Sequence, residues 1–331
     1  MKRTILSLVA MLVATASFAQ NTVVASLSHG EEVSYFYGSS ALIDAVAAAV
    51  SGDVISLSGG TFKAVNITKA ITLRGAGINS AEPTYIINDF NIEVPADDAN
   101  RFTMEGIRCQ NKMNVTGTFD NPLFLKCQFN VVQNGTSTDA VTNIMFVNCH
   151  IIGSIRVGGD NSVNFINSFV TTIEKKQNGV ISATNCILYQ RGLGDLTQSQ
   201  WYNCIFFCTN YSESCLPSDA VVRNCIYPDY NGNNYAYDIF RSIISHPGTA
   251  MFNSLEETFK TFTGKNYSVD ETFELTDAAK AAYLGTDGKE VGLYGGPMPY
   301  NLDLSYPLIS TMTVDKQTDD KGQLGVTIEV K

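Results

Sequence analysis

A cysteine recurs along the middle of this 331-residue chain at a nearly constant interval. Cys109, Cys127, Cys149, Cys186, Cys204 and Cys225, with Ser168 standing in for one, follow one another at 18, 22, 19, 18, 18 and 21 residues. Asn precedes five of the seven positions, as Asn148, Asn167, Asn185, Asn203 and Asn224. Three places before each Cys or Ser stand Gly106, Phe124, Phe146, Phe165, Ala183, Trp201 and Val222. Two places after come Asn111, Phe129, Ile151, Val170, Leu188, Phe206 and Tyr227. One period therefore reads apolar-x-Asn-Cys-x-apolar, roughly every nineteen residues, and a fixed period of this length is the mark of a solenoid.

Short alternating strands separated by Gly, Asn and Asp begin at residue 54, with no room between them for crossover helices. This predicts an all-β chain, a right-handed parallel β-helix with three short strands per coil. Equivalent side chains then stack about 4.8 Å apart. Cys suits such an inward ladder because it is small and apolar, and Asn suits the turn because it tolerates left-handed backbone. A leucine-rich repeat has a similar period but needs leucines that are missing. Residues 40–50 (SALIDAVAAAV) read as a capping helix, with a Ser at its start and Asp44 in its first turn. The expected organisation is a signal peptide over 1–19, an N-terminal strand and capping helix over 20–53, and the β-helix over 54–240. An irregular, partly helical C-terminal cap over 241–295 and a β-strand tail over 296–331 follow.

Lys2 and Arg3, the apolar stretch after them, and Ser17-Phe18-Ala19 form a secretory signal. The chain is thus expected to be exported to the periplasm, the cell surface or the medium. With no Cys before Cys109 it does not read as a lipoprotein. Its 22 Lys and Arg stand against 32 Asp and Glu, net −10. That excludes a basic nucleic-acid binder, and no apolar run predicts a membrane span.

The segment ALIDAVAAAVSGDVISLSGGTFKAVNITKAITLRGAG, residues 41–77, together with the Asn-Cys coils that follow, resembles the start and coils of secreted pectate-lyase-like β-helix proteins. GKEVGLYGGPMPY, residues 288–300, and GQLGVTI, residues 322–328, are similar to the tails of uncharacterised and adhesin-like secreted β-helix proteins of Bacteroidetes-type bacteria. The resemblance implies the fold; the superfamily holds lyases, hydrolases, adhesins and inert stalks.

Catalytic signals are missing. The Gly-His-Gly and Arg-x-Lys of polygalacturonase-like hydrolases and the basic motifs of pectate lyases do not occur. Asp97-Asp98 and Asp319-Asp320 are adjacent pairs that point opposite ways on a strand, whereas a glycosidase needs two carboxyls facing one sugar, about 5 to 9.5 Å apart. Glu174, Lys175 and Lys176 read as a solvated turn, with acid–base use as the alternative. His29, His150 and His246 lack metal-site spacing, and His150, next to Cys149, should point outward. Nothing in the sequence calls for a cofactor, and it is silent on Ca²⁺. The lone Trp201 shares the slot of Phe124, Phe146 and Phe165 and is expected in the core. Cys208 and Cys215, off the period, are open between a disulfide and free thiols. The polar, Tyr-rich loop DYNGNNYAYD offers Asp229, Tyr230, Asn233, Tyr235, Tyr237 and Asp238 as ligand-binding residues, tyrosines for stacking and carboxylates for hydroxyls. The expected role is a secreted non-catalytic β-helix for cell-surface adhesion or glycan binding, with a polysaccharide or cell-surface glycan as partner. A polysaccharide lyase or glycoside hydrolase acting on a sheet face, and a structural envelope component, are the rivals.

Overall fold

The computed structural model describes residues 23–135, 139–175, 178–190, 198–208, 220–228, 247–252, 254–262, 271–306, 309–314 and 326–330. Strands Val54–Leu57, Thr72–Arg74, Thr103–Glu105, Leu123–Leu125, Ile144–Val147, Ser162–Ile166, Val180–Thr184, Gln200–Tyr202 and Val221–Arg223 lie side by side in chain order, all parallel. After a corner, each coil adds a strand to a second parallel sheet. In the long strands Ile107–Val115, Gln128–Asn134 and His150–Val157 the chain bends again, and the second halves pair as a third face. The fold is a parallel β-helix.

Register places Ile55, Leu73, Met104, Phe124, Phe146, Phe165, Ala183, Trp201 and Val222 in one inward file, and all are buried. Phe124 and Phe146 stack at 4.9 Å, Phe146 and Phe165 at 5.4 Å. Phe129 meets the first pair edge-on from the second face at 5.5 and 5.6 Å, an arrangement that suits ring quadrupoles. Trp201 sits beside the small Ala183, and its indole N–H donates to Ser199 Oγ at 2.7 Å, so its one polar group is satisfied.

The corner between the first two faces explains the repeat. Lys126, Asn148, Asn167, Asn185, Asn203 and Asn224 have φ of 52, 53, 45, 55, 57 and 51°, and Gly106 has 69°. Left-handed backbone costs a typical residue about 1–2 kcal/mol, and Asn and Gly adopt it most readily. Eight of the eleven non-glycine residues with positive φ among the described residues are asparagine. The backbone N–H of each corner residue donates to a carbonyl one coil on, as from Asn148 to Ile166 at 3.0 Å and from Asn185 to Tyr202 at 2.9 Å.

The next residue inward is Cys127, Cys149, Ser168, Cys186, Cys204 or Cys225, and each bonds the carbonyl two residues before it. Cys127 Sγ donates to Leu125 O at 3.2 Å, Ser168 Oγ to Ile166 O at 2.9 Å and Cys204 Sγ to Tyr202 O at 3.2 Å. From Cys127 onward the slot holds a small side chain with a donor, which is why Ser can replace Cys. These cysteines are free and buried, and burial pushes the Cys149 thiol up to about 12.

Cys109 corrects the sequence reading. Its rung is that of Phe129, in the file that continues through Ile151, Val170, Leu188 and Phe206, two residues beyond the thiol slot. The left-handed residue in its coil is Gly106, so Ile107 takes the slot and Met104, not Gly106, the aromatic file. The corner conformation sets the count, and Cys109 is a core residue of the next file.

The hairpin Val24–His29 and Glu32–Tyr37 extends the first sheet antiparallel, and helix α1 (Ala41–Ala48) covers the end of the core. Ser40 makes no side-chain bond to the helix backbone; its hydroxyl donates to Asp44 Oδ2 at 2.7 Å instead. Lys69 Nζ donates to the carbonyls of Val46, Ala47 and Ala49, satisfying the helix C-terminus.

Beyond the coils, helices α2 (Leu255–Thr258) and α3 (Asp277–Ala282) pack outside the second face. There Phe169, Ile187, Ile205 and Ile226 project outward and form a second core with Phe252, Phe259, Phe262, Phe273, Leu275, Val291 and Leu293. Residues 284–306 then run back along the corner as a strap. Asn224 Nδ2 donates to Leu284 O at 2.8 Å, and Asn203 Oδ1 accepts from Thr286 N at 2.8 Å. Asn185 Nδ2 donates to Gly292 O at 3.2 Å, and Asn167 Nδ2 to Leu293 O at 2.6 Å and Gly295 O at 2.9 Å. The asparagines thus shape the corner with their backbone and hold the strap with their amides. Strands Ile309–Val314 and Val326–Val330 form a separate antiparallel pair.

Asn203→Gly keeps the left-handed turn and removes the amide, whereas Asn203→Ala removes both. Urea denaturation is expected to show a loss of about 1–3 kcal/mol for Gly, from unpaired strap groups, and about 1–2 kcal/mol more for Ala. Equal losses would contradict the dual role.

Candidate functional site

The strap ends over the first coils of the β-helix, where several unlike groups converge. Tyr300 stacks on His150 at 5.5 Å with its hydroxyl 2.5 Å from Nε2. Lys126 Nζ donates to Asp303 O. The buried Glu105 carboxylate accepts from Ser305 N at 2.9 Å and Ser305 Oγ at 2.6 Å, with Lys126 Nζ at 3.8 Å. Tyr306 donates its hydroxyl to Gly75 O at 2.5 Å, and the Arg74 guanidinium lies 4.9 Å over its ring; burial pushes this phenol well above its ordinary pKa. Leu304 drops into a hollow that only glycine leaves open: a Cβ on Gly106 would lie 2.6 Å from Leu304 Cδ2 and 3.2 Å from Gly77 Cα.

Opposite the strap, the loop after Arg74 is pinned just as firmly. Ala76 N donates to Thr84 Oγ1 at 2.8 Å and Gly77 N to Gly106 O at 3.0 Å. Arg108 Nε donates to Ile78 O at 2.7 Å, and its guanidinium lies 5.6 Å over the Tyr85 ring. Between loop and strap lies an open cleft of about 660 Å³, lined by Ala76, Gly77, Asn79, Ser80, Leu302, Asp303, Leu304 and Tyr306. Its size is that of a small-molecule site. Asn79 and Asp303 stand exposed at the rim, one amide and one carboxylate over an apolar floor with an aromatic ring. Such a set can pair hydroxyls while packing against C–H groups.

Of the residues singled out in the sequence, Asp229, Tyr230, Asn233, Tyr235, Tyr237 and Asp238 lie outside the described residues, as do Lys176, His246, Asp319-Asp320 and Cys215, and with Cys215 the choice between a disulfide to Cys208 and free thiols. Glu174 and Lys175 do not share a face. Glu174 points out and pairs with Arg156 at 2.7 Å, while Lys175 is buried. Asp98 is held by Ser51, Asn100 and Ala70, and the Ser51 hydroxyl keeps its carboxyl below the usual range. Asp53 joins His29 at 2.7 Å and Val50 N at 2.8 Å. Among the described residues no three metal-ligating side chains cluster, and no helix is long and apolar enough to cross a membrane. The cleft residues were missed because they meet across more than two hundred positions; the alternation in Leu302-Asp303-Leu304 was their one local signal.

His150 corrects its expected exposure: it does leave the cylinder, but the strap covers it and it is buried. Burial, with the Arg108 charge adding to it, pushes the imidazole down to about 4. Above its ordinary pKa of roughly 6.5 the ring is neutral in both folded and unfolded chains. As pH falls from there toward about 4, the unfolded chain takes a proton that the folded one refuses, so stability declines across that window and this contribution levels off below it. Melting curves of wild type and His150→Phe between pH 7 and pH 4 should therefore show a steeper acid loss for wild type; parallel curves would contradict the assignment.

In comparisons with known proteins, no family model matches the chain, and no curated protein or solved structure matches it.

Proposed function

We propose that this is an exported β-helical binding module that holds a glycan, with the loop–strap cleft as its site. The observation that carries the reading is the cleft itself: Asn79, Ser80 and Asp303 on its rim, Leu302, Leu304 and Tyr306 along its wall, all mounted on pinned backbone. Rigid placement of hydrogen-bonding groups beside an apolar ring lowers the ordering cost of binding. Export is supported by the basic–apolar–small pattern of residues 1–19, which would place the protein among periplasmic, surface or extracellular polysaccharides. Among the described residues a single carboxylate, Asp303, lines the cleft, which supports recognition over hydrolysis by a carboxylate pair. The loop over residues 229–238 is a second candidate contact in the same reading.

A panel of soluble polysaccharides and oligosaccharides, read by calorimetry, tests it. Wild type is expected to bind at least one neutral glycan. An Asn79→Ala/Asp303→Asn double variant should bind it at least about tenfold more weakly, about 1.4 kcal/mol, with an unchanged melting temperature because both side chains are exposed. Unchanged affinity in the variant would remove the cleft from the reading. Release of unsaturated products or reducing ends by wild type would replace binding with catalysis.

A further inference from the structure

One cation beside the cleft has no anion to serve. Arg101, Arg108 and Arg156 donate hydrogen bonds from Nε, to Asn121 O, Ile78 O and Glu174 Oε2. Arg74 donates none: among the described residues its guanidinium has neither a hydrogen bond nor an ion pair, and its Nε is buried without a partner. The carboxylate placed to neutralise it is that of Glu105, its register partner on the next strand. That carboxylate is taken by Ser305 N and Oγ, with Lys126 Nζ at 3.8 Å. A buried charged donor without an acceptor marks a strained, catalytic or ion-binding position. The backbone of Arg74 is not strained, since its φ is not positive.

Tyr306 holds this cation in place. The guanidinium lies 4.9 Å over the Tyr306 ring, the Tyr306 hydroxyl is tied to the carbonyl of the next residue, Gly75, and the same tyrosine lines the cleft. A stacked guanidinium keeps its donor edge in a fixed plane. Of its nitrogens only Nε is both buried and unpaired among the described residues, which leaves the terminal pair for an incoming acceptor. The strand before it adds a hydroxyl. Val54–Leu57 pairs with Thr72–Arg74 so that Ser56 stands opposite Arg74. Ile55 and Leu73 point into the core, so alternation turns Ser56 and Arg74 outward, about 4.8 Å apart across the sheet. Ser56 is half-buried, and among the described residues its hydroxyl has no partner.

A fixed guanidinium with a free hydroxyl beside it suits an oxyanion. The two oxygens of a carboxylate are used up by the guanidinium, whereas a tetrahedral phosphate or sulfate ester keeps a further oxygen for Ser56. A polymer charged at every sugar fits poorly, because Asp303 stands on the rim and the chain carries a net −10. We propose that Arg74 and Ser56 bind a phosphate or sulfate ester borne by the glycan in the cleft. The glycan part rests on the reading of the cleft given above; the oxyanion part does not.

Calorimetry of the full chain at low ionic strength, where charge is least screened, tests the subsite with two probes that lack a sugar ring, inorganic sulfate and methyl phosphate. Wild type should bind both whether or not the cleft takes a glycan. Arg74→Gln should weaken them at least about tenfold, and Ser56→Ala about fivefold. Arg74→Lys keeps the charge without the planar fork; an intermediate loss there carries the test if Gln disturbs the fold. The 6-phosphates and 6-sulfates of glucose, galactose, mannose and N-acetylglucosamine, run beside the parent sugars and the uronates, then place the ester. At least one should bind about tenfold more tightly than both its parent sugar and the free anion. Absence of sulfate and methyl phosphate binding, or binding indifferent to Arg74→Gln, would overturn the subsite. Sugar esters no tighter than the free anions would overturn its place on a glycan, and uronates as tight as the esters would overturn the tetrahedral assignment.

Discussion

A left-handed residue at one corner of the seven coils from Gly106 to Asn224 is the constraint on which the structure depends. It turns the chain from the first face to the second, sends the following thiol or hydroxyl inward onto the carbonyl two residues back, and leaves its own side chain pointing outward. Asn meets all three demands at once, because it accepts the backbone conformation and carries an amide that can both donate and accept. The file of Asn148, Asn167, Asn185, Asn203 and Asn224 is therefore a backbone device and a row of hydrogen-bonding groups. The parallel strands repeat that row at the strand spacing.

The strap follows from the row. Its segment 284–295 is poor in regular structure, and its carbonyls would be stranded on the surface if the corner amides did not take them. Apolar side chains on the outside of the second face do the rest, so the molecule has one core inside the β-helix and another beneath the C-terminal segment. Covering that face also shapes the surface: the strap occupies one flank, and the space between its end and the loop after Arg74 becomes the cleft. Glu105, Lys126, His150 and Arg108 are drawn into holding this junction, which is why the perturbed imidazole of His150 serves the architecture.

Much of the fold was legible because a solenoid writes its periodicity into the chain. The Cys spacing, the Asn before it and the aromatic three places earlier were enough to infer parallel coils and a buried Trp201, and the apolar pattern of residues 40–50 was enough to infer α1 at the start. The reading slipped where the marker and the cause separate: Cys109 looks like a member of the file, but Gly106 takes the corner two residues earlier. Ser40 likewise looks like a cap and bonds Asp44 instead. The cleft was not legible, since Asn79 and Asp303 come together only through a strap whose path depends on amides scattered over the coils, and no local pattern announces such a path.

The account's central claim is that the corner places the thiols inward in one cooperative file. Alkylation of the native protein with iodoacetamide, mapped residue by residue by mass spectrometry over a urea series, tests it most directly. Cys127, Cys149, Cys186, Cys204 and Cys225, all buried and free, should stay unlabelled below the global transition and become reactive together within it. Rapid labelling of any one of the five in the folded protein would contradict it.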